Sequence, residues 1–147
     1  MQPPLRNILV PTDGTPVSDK AIELAGSLAA SLHATLTVVH VVQETAFGGA
    51  SLDELDPELR DHRIEELARP VLDRAYAVLA RNPAAPSPGE HLVVGVAHEQ
   101  VLAAIQELSI DLLVLGRTHH SHLGELIFGS TSDELIERAP CPVVVVK

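Results

Sequence analysis

The sequence predicts an α/β fold whose strands form a mostly parallel sheet. Two observations carry this. Short apolar runs without polar alternation recur along the chain, as strands buried on both faces require. Between them lie longer stretches whose apolar residues hold helical spacing, so strand and helix alternate. With 147 residues, 46% of them hydrophobic, the chain suits one domain, 1–147, with a sizeable core.

The first strand covers Arg6–Pro11. Ser18-Asp19 then opens a helix in which Ile22, Ala25, Ala29 and Leu24, Leu28, Leu32 keep helical spacing, and its alanines allow close approach to a sheet. Thr35–Val42 is the second strand, apolar on both faces and so interior, with His40 expected as a hydrogen-bonded core histidine. Gln43–Asp56, with Gly48-Gly49, has no periodicity and is a long loop. Asp56 caps the next helix, with Pro57 in its first turn. That helix runs through Leu67, Val71, Ala75, Val78 and Leu79, and Pro70 within it should kink or split it. Residues 82–89, with three prolines and a terminal glycine, form a connection rather than a domain boundary. His91–Gly95 is the third strand, and Glu99–Leu108 a helix facing inward through Val101, Ala104, Ile105 and Leu108. Asp111–Gly116 is a fourth, fully buried strand. A polar loop follows, and then a helix that Ser130, Thr131 or Ser132 could cap. Pro142–Lys147 is a short last strand. As a bare sheet edge it would be adhesive, and pairing with its copy in a second subunit would close a two-fold dimer.

Composition excludes some functions. A net charge of -10 and only three aromatic residues (Phe47, Tyr76 and Phe128) leave neither a basic stripe nor a stacking platform for nucleic acid. No apolar run approaches membrane-spanning length and no signal-peptide pattern is visible, so a cytoplasmic location is expected. The single cysteine, Cys141, fits a reducing compartment and reads as a small core residue. No nucleophile–base–orienter set or carboxylate pair stands out, so an enzyme is not expected. His119, His120 and His122 have spacing a metal could use in a loop, but with Glu125 as the only local carboxylate they read as surface histidines.

The chemistry concentrates in two turns. One is Pro11-Thr12-Asp13-Gly14 after the first strand. The other begins at Gly116-Arg117 after the fourth and ends at Gly129-Ser130-Thr131, where a helix start offers amide hydrogens and a positive dipole end to an anion. Asp13 can accept from a ribose hydroxyl or a base N–H, and can also hydrogen-bond its own turn. Gly116 permits close approach of the backbone to a ligand, or lets the strand turn. Arg117 could reach a phosphate or stand in solvent. No lysine follows a glycine in the arrangement of a kinase- or ATPase-type phosphate loop.

Gly116 followed by a nine-residue spacer, 120–128, and then Gly129-Ser130 resembles the nucleotide loop of universal stress proteins, in the adenine nucleotide α-hydrolase superfamily. His119 stands where that loop carries its second glycine. The segments 8–15, 36–42 and 139–146 resemble the same family, so the likeness spans nearly the whole chain. It implies a Rossmann-like open five-stranded parallel sheet of order 3-2-1-4-5 with helices on both faces. It also implies a ligand crevice where the strand order reverses, between strands one and four. By resemblance, Pro11, Thr12, Asp13, Val41, Gly116, Arg117, His119, Gly129, Ser130 and Thr131 would meet the ligand, with Val41 against adenine. The ligand implied is ATP, or AMP or ADP, with magnesium if a triphosphate, in a homodimeric stress-response module. The alternative is a nucleotide-free interaction scaffold whose pocket His119 alters.

Overall fold

The computed structural model describes residues 3–44, 54–117 and 129–147. Nine elements alternate: β1 (Asn7–Pro11), α1 (Pro16–Leu32), β2 (Thr35–Val42), α2 (Pro57–Leu79), β3 (Gly89–Val94), α3 (Ala97–Glu107), β4 (Leu112–Gly116), α4 (Gly129–Arg138) and β5 (Val143–Val146). The strands form one parallel sheet of order β3-β2-β1-β4-β5, as expected. Parallel strands need crossovers, and each helix supplies one.

The sheet divides the core in two. On one face Ile8, Val10, Leu36, Val38 and Val114 pack against α1 and α2 through Ile22, Ala25, Leu72 and Ala75. On the other, Leu9, Val39, Leu113 and Leu115 pack against α3 and α4 through Val101, Ala104, Ile105 and Leu135. Strand residues alternate between the two clusters with the period of two that a pleated strand imposes. All five residues of β4 are buried, which accounts for its unbroken apolar sequence.

Several boundaries differ from the sequence expectation, each for a local reason. α1 begins at Pro16, not Ser18, because Thr15 is its N-cap. The Thr15 side chain accepts from the Ser18 amide while the Ser18 hydroxyl accepts from the Thr15 amide, a reciprocal capping box. Pro70 does not split α2, which runs unbroken over its 23 residues. Pro70 lies on the exposed side, whereas Ala68 and Leu72 on either side of it in sequence are buried. The carbonyl freed by the missing N–H can therefore meet water while both halves stay docked. β3 starts two residues before His91, because Gly89 and Glu90 pair with Thr37 and Val38 of β2. α3 starts at Ala97, two residues before Glu99, with no side-chain cap. α4 starts at Gly129, so Ser130, Thr131 and Ser132 lie within its first turn and do not cap it from outside.

Asp111 closes the bottom of the sheet. Its carboxylate accepts from the amides of Arg6 (2.8 Å) and Asn7 (2.9 Å), tying the start of β1 to that of β4. This fixes the register of the two strands whose far ends flank the crevice.

Candidate functional site

The strand order reverses between β1 and β4, and a cleft opens at the carboxyl ends of β1 and β2, beside α3 and the first turn of α4. The cleft, ≈ 380 Å³ with its open mouth, is lined by Pro11, Thr12 and Asp13 after β1, Val39, His40, Val41 and Gln43 of β2 and its end, Ala97 and Val101 of α3, and Thr131 of α4. Of the ten residues expected from the sequence, five are therefore brought to one cleft: Pro11, Thr12, Asp13, Val41 and Thr131. Turns separated by more than a hundred residues meet because β1 and β4 are neighbours.

The Thr12–Ser18 segment is held by a dense set of bonds. The Thr12 amide donates to the Val39 carbonyl (2.9 Å), and its hydroxyl accepts from the Gly14 amide (3.2 Å) and lies 3.2 Å from the buried Ser18 hydroxyl. Gly14 has φ +79°, a conformation glycine adopts without strain, and this lets the chain turn from strand to helix. One oxygen of Asp13, Oδ1, accepts from the Thr15 hydroxyl (2.6 Å) and amide (3.0 Å), so Asp13 does form its own turn. The other, Oδ2, is buried and has no hydrogen-bond partner among the described residues. A buried carboxylate oxygen left unpaired is costly, on the order of 1–3 kcal/mol or more. It is an acceptor awaiting a donor, as a ribose hydroxyl or a base N–H would be.

Gly116 serves the packing of β4 against α1. A Cβ built there would lie 2.8 Å from the Val17 carbonyl oxygen, so the missing side chain is what admits the first turn of α1. The Gly116 carbonyl accepts from the buried Ser132 hydroxyl (3.2 Å), which fixes the first turn of α4 against the end of β4. Sequence reasoning offered Ser132 only as a cap, because a tertiary bond from a hydroxyl has no local signature. The Arg117 amide donates to the Val146 carbonyl (2.7 Å) and is thus committed to the sheet. Its guanidinium is exposed, 3.9 Å from the Asp133 carboxylate. His119 lies outside the described residues, as do His120 and His122. The backbone of Gly129 and Ser130 forms the start of α4, whose next residue, Thr131, lines the cleft, and so the helix N-terminus adjoins it.

His40 was expected to be a hydrogen-bonded core histidine, and its Nδ1 lies 2.8 Å from the Thr12 carbonyl oxygen. Cys141 is half-buried in the cluster beside α3 and α4, and burial pushes its thiol above the usual range. Among the described residues no three His, Cys, Asp or Glu side chains cluster as metal ligands would.

These features define an open α/β domain with a cleft at the carboxyl ends of its strands, into which Asp13 brings a buried carboxylate oxygen without a partner among the described residues and beside which a helix begins. The universal stress protein family profile matches residues 4–147, and the chain belongs to that family. It is 34% identical over 143 residues to universal stress protein A homolog 1 of Coxiella burnetii, covering 96% of this chain and 95% of the relative. Among solved structures it is similar to universal stress protein UspA of Lactobacillus plantarum, with 28% identity, a TM-score of 0.75, and 99% and 100% of the two chains covered. The universal stress protein of Archaeoglobus fulgidus solved in complex with dAMP shares the fold, with a TM-score of 0.69 at 19% identity and 99% and 100% coverage.

Proposed function

We propose that this chain is an adenine-nucleotide-binding module of the stress response, one domain that acts in the cytoplasm as a homodimer and works by binding rather than turnover. The observation that carries the reading is Asp13 Oδ2, an acceptor buried at the cleft with no partner among the described residues. In this reading the nucleotide lies along that cleft and extends beyond its open mouth. The base or ribose donates to Asp13 while Val41 and Val101 offer apolar contact, and phosphate lies toward the first turn of α4 at Gly129, Ser130 and Thr131. Pro11 and Thr12 shape the wall. Gly116 and Arg117 stand at the end of β4, and the exposed Arg117 guanidinium is the group that would meet a phosphate tail. The dAMP-bound relative supports the ligand class. A triphosphate would bring magnesium, because no Lys or Arg lines this cleft among the described residues.

Isothermal titration with ATP, ADP and AMP, with and without magnesium, tests the proposal. Saturable heat with at least one nucleotide is expected; baseline heat with all three at millimolar concentration overturns it. The second reading, a nucleotide-free scaffold, is favoured by one observation, the histidine at position 119 where the family loop has glycine. It requires His119→Gly to create or markedly strengthen binding. Tight native binding that the glycine variant leaves unchanged rejects it.

A further inference from the structure

The geometry points to His40 as a positioning residue for the ligand turn: its ring holds the Thr12 carbonyl so that Asp13 is presented to the cleft. Leu36, Val38 and Val42 of β2 belong to the cluster against α1 and α2, and Val39 to the opposite one. A polar ring on such a strand costs desolvation free energy unless it is hydrogen-bonded. Here the ring is bonded, to a carbonyl one residue beyond the end of β1.

The chemistry of that bond fixes its direction. A carbonyl oxygen can only accept, so His40 Nδ1 carries the proton and donates across 2.8 Å. Thr12 is thereby gripped twice by β2: its amide donates to the Val39 carbonyl (2.9 Å) and its carbonyl accepts from the next residue of that strand. The peptide unit following that carbonyl is the one that leads into Asp13. Turning it would swing the carboxylate, break the bonds of Oδ1 to Thr15, and move Oδ2 from the place where a ligand donor would meet it. Val39, His40 and Val41 of β2 line the cleft, and the His40 ring reaches the site through Thr12 as well.

This inference rests on the nucleotide reading, and the experiment separates the two. Titrations with ATP and AMP compare the native chain with His40→Leu, His40→Asn and Val38→Ala. Asparagine can place an amide N–H near the position of Nδ1 and leucine cannot, while Val38→Ala removes buried volume from the same strand without touching Thr12. The expected result is about tenfold weaker binding for His40→Leu, the scale of one lost hydrogen bond, with most of the affinity recovered in His40→Asn. Val38→Ala should unfold more easily yet bind like the native chain. Should His40→Leu fail to fold, the native chain itself supplies the second measurement: a nitrogen-15 spectrum of the ring in the Nδ1–H tautomer supports the inference and the Nε2–H tautomer overturns it. Native binding that His40→Leu retains, or a loss that His40→Asn does not relieve or that Val38→Ala equals, overturns this inference alone. Baseline heat from the native chain overturns the nucleotide reading and this one with it.

Discussion

At Asp13 the two oxygens of one carboxylate have separate tasks, and a near-isosteric substitution separates them. Asp13→Asn keeps an acceptor for Thr15 but sets an NH2 group where Oδ2 waits for a donor. Nucleotide affinity in a titration should fall about tenfold or more, with the turn retained. Gly116 has a packing role that the sequence did not show. Glycine at a strand end suggested a turn or a ligand approach, and an added Cβ there would meet the Val17 backbone. Both atoms nearest to an added Cβ belong to main chain, at 2.8 and 3.0 Å, so no flexible side chain can move aside. Gly116→Ala should therefore lower stability in urea unfolding by about 1–3 kcal/mol, the usual cost of overpacking. The Asp-Gly turn was legible because its bonds run between residues two apart in sequence. The Ser132–Gly116 and His40–Thr12 bonds cross 16 and 28 residues, and no local pattern records them.

At the scale of elements, apolar runs, helical spacing and cap residues together located the elements described in the structure, while several ends shifted by one or two residues and the start of α4 by more. Thr15-Pro16 held the true signal for the start of α1, a hydroxyl cap followed by proline at the first helical position. Reading Ser18-Asp19 as the start gave weight to the serine and overlooked the proline. Pro70 shows the opposite error: a local rule for helix interruption yielded to tertiary packing on the buried side of α2. The surface of α2 is tied to β3 by Arg69. It gives two bonds to the Glu90 carboxylate (2.8 and 3.1 Å) and one to Glu65 (2.8 Å). The Arg69 hydrogen bonds hold the Glu90 carboxyl below its ordinary value of 4.5. A carboxylate depressed on folding adds stability above its unfolded pKa and loses it as the pH falls through the lower folded value. The stability difference between the native chain and Glu90→Gln should thus be present at pH 7 and be lost progressively as the pH falls from the ordinary carboxylate range through the lower folded value. Because the pair is exposed to solvent, the difference should be small and should shrink further in high salt. Unfolding midpoints at a series of pH values, in low and high salt, check both.

At the scale of the whole molecule the two edges of the sheet differ. One edge, β3, is tied to α2 by the Arg69–Glu90 pair, whereas the other, β5, consists of four half-buried valines, with no strand beyond it among the described residues. The β4–β5 ladder shows which of its groups remain available. Leu113 N–H bonds the Pro142 carbonyl and Arg117 N–H the Val146 carbonyl, so even-numbered residues of this segment face β4. In a parallel pair a residue directs both its amide and its carbonyl to the same neighbour, and the odd-numbered Val143 and Val145 therefore present theirs outward. If the homodimer forms along this edge, proline at an outward position should abolish it without breaking the inner ladder, because proline removes a single donor and is tolerated on edge strands. Sedimentation equilibrium at high micromolar concentration should accordingly give a dimer for the native chain and a monomer for Val145→Pro. Val144→Pro, which removes a donor facing β4, should instead lower the unfolding midpoint. A native chain that sediments only as monomer, or a Val145→Pro variant that remains dimeric, places the subunit contact away from β5. In the edge-paired dimer each crevice lies two strands from the seam, since β4 and β5 separate β1 from it. Nucleotide affinity should then be the same for native dimer and monomeric variant. Equal titrations of the two would show that the crevice is complete within one subunit, and a weaker monomer would mean that the partner helps to shape it.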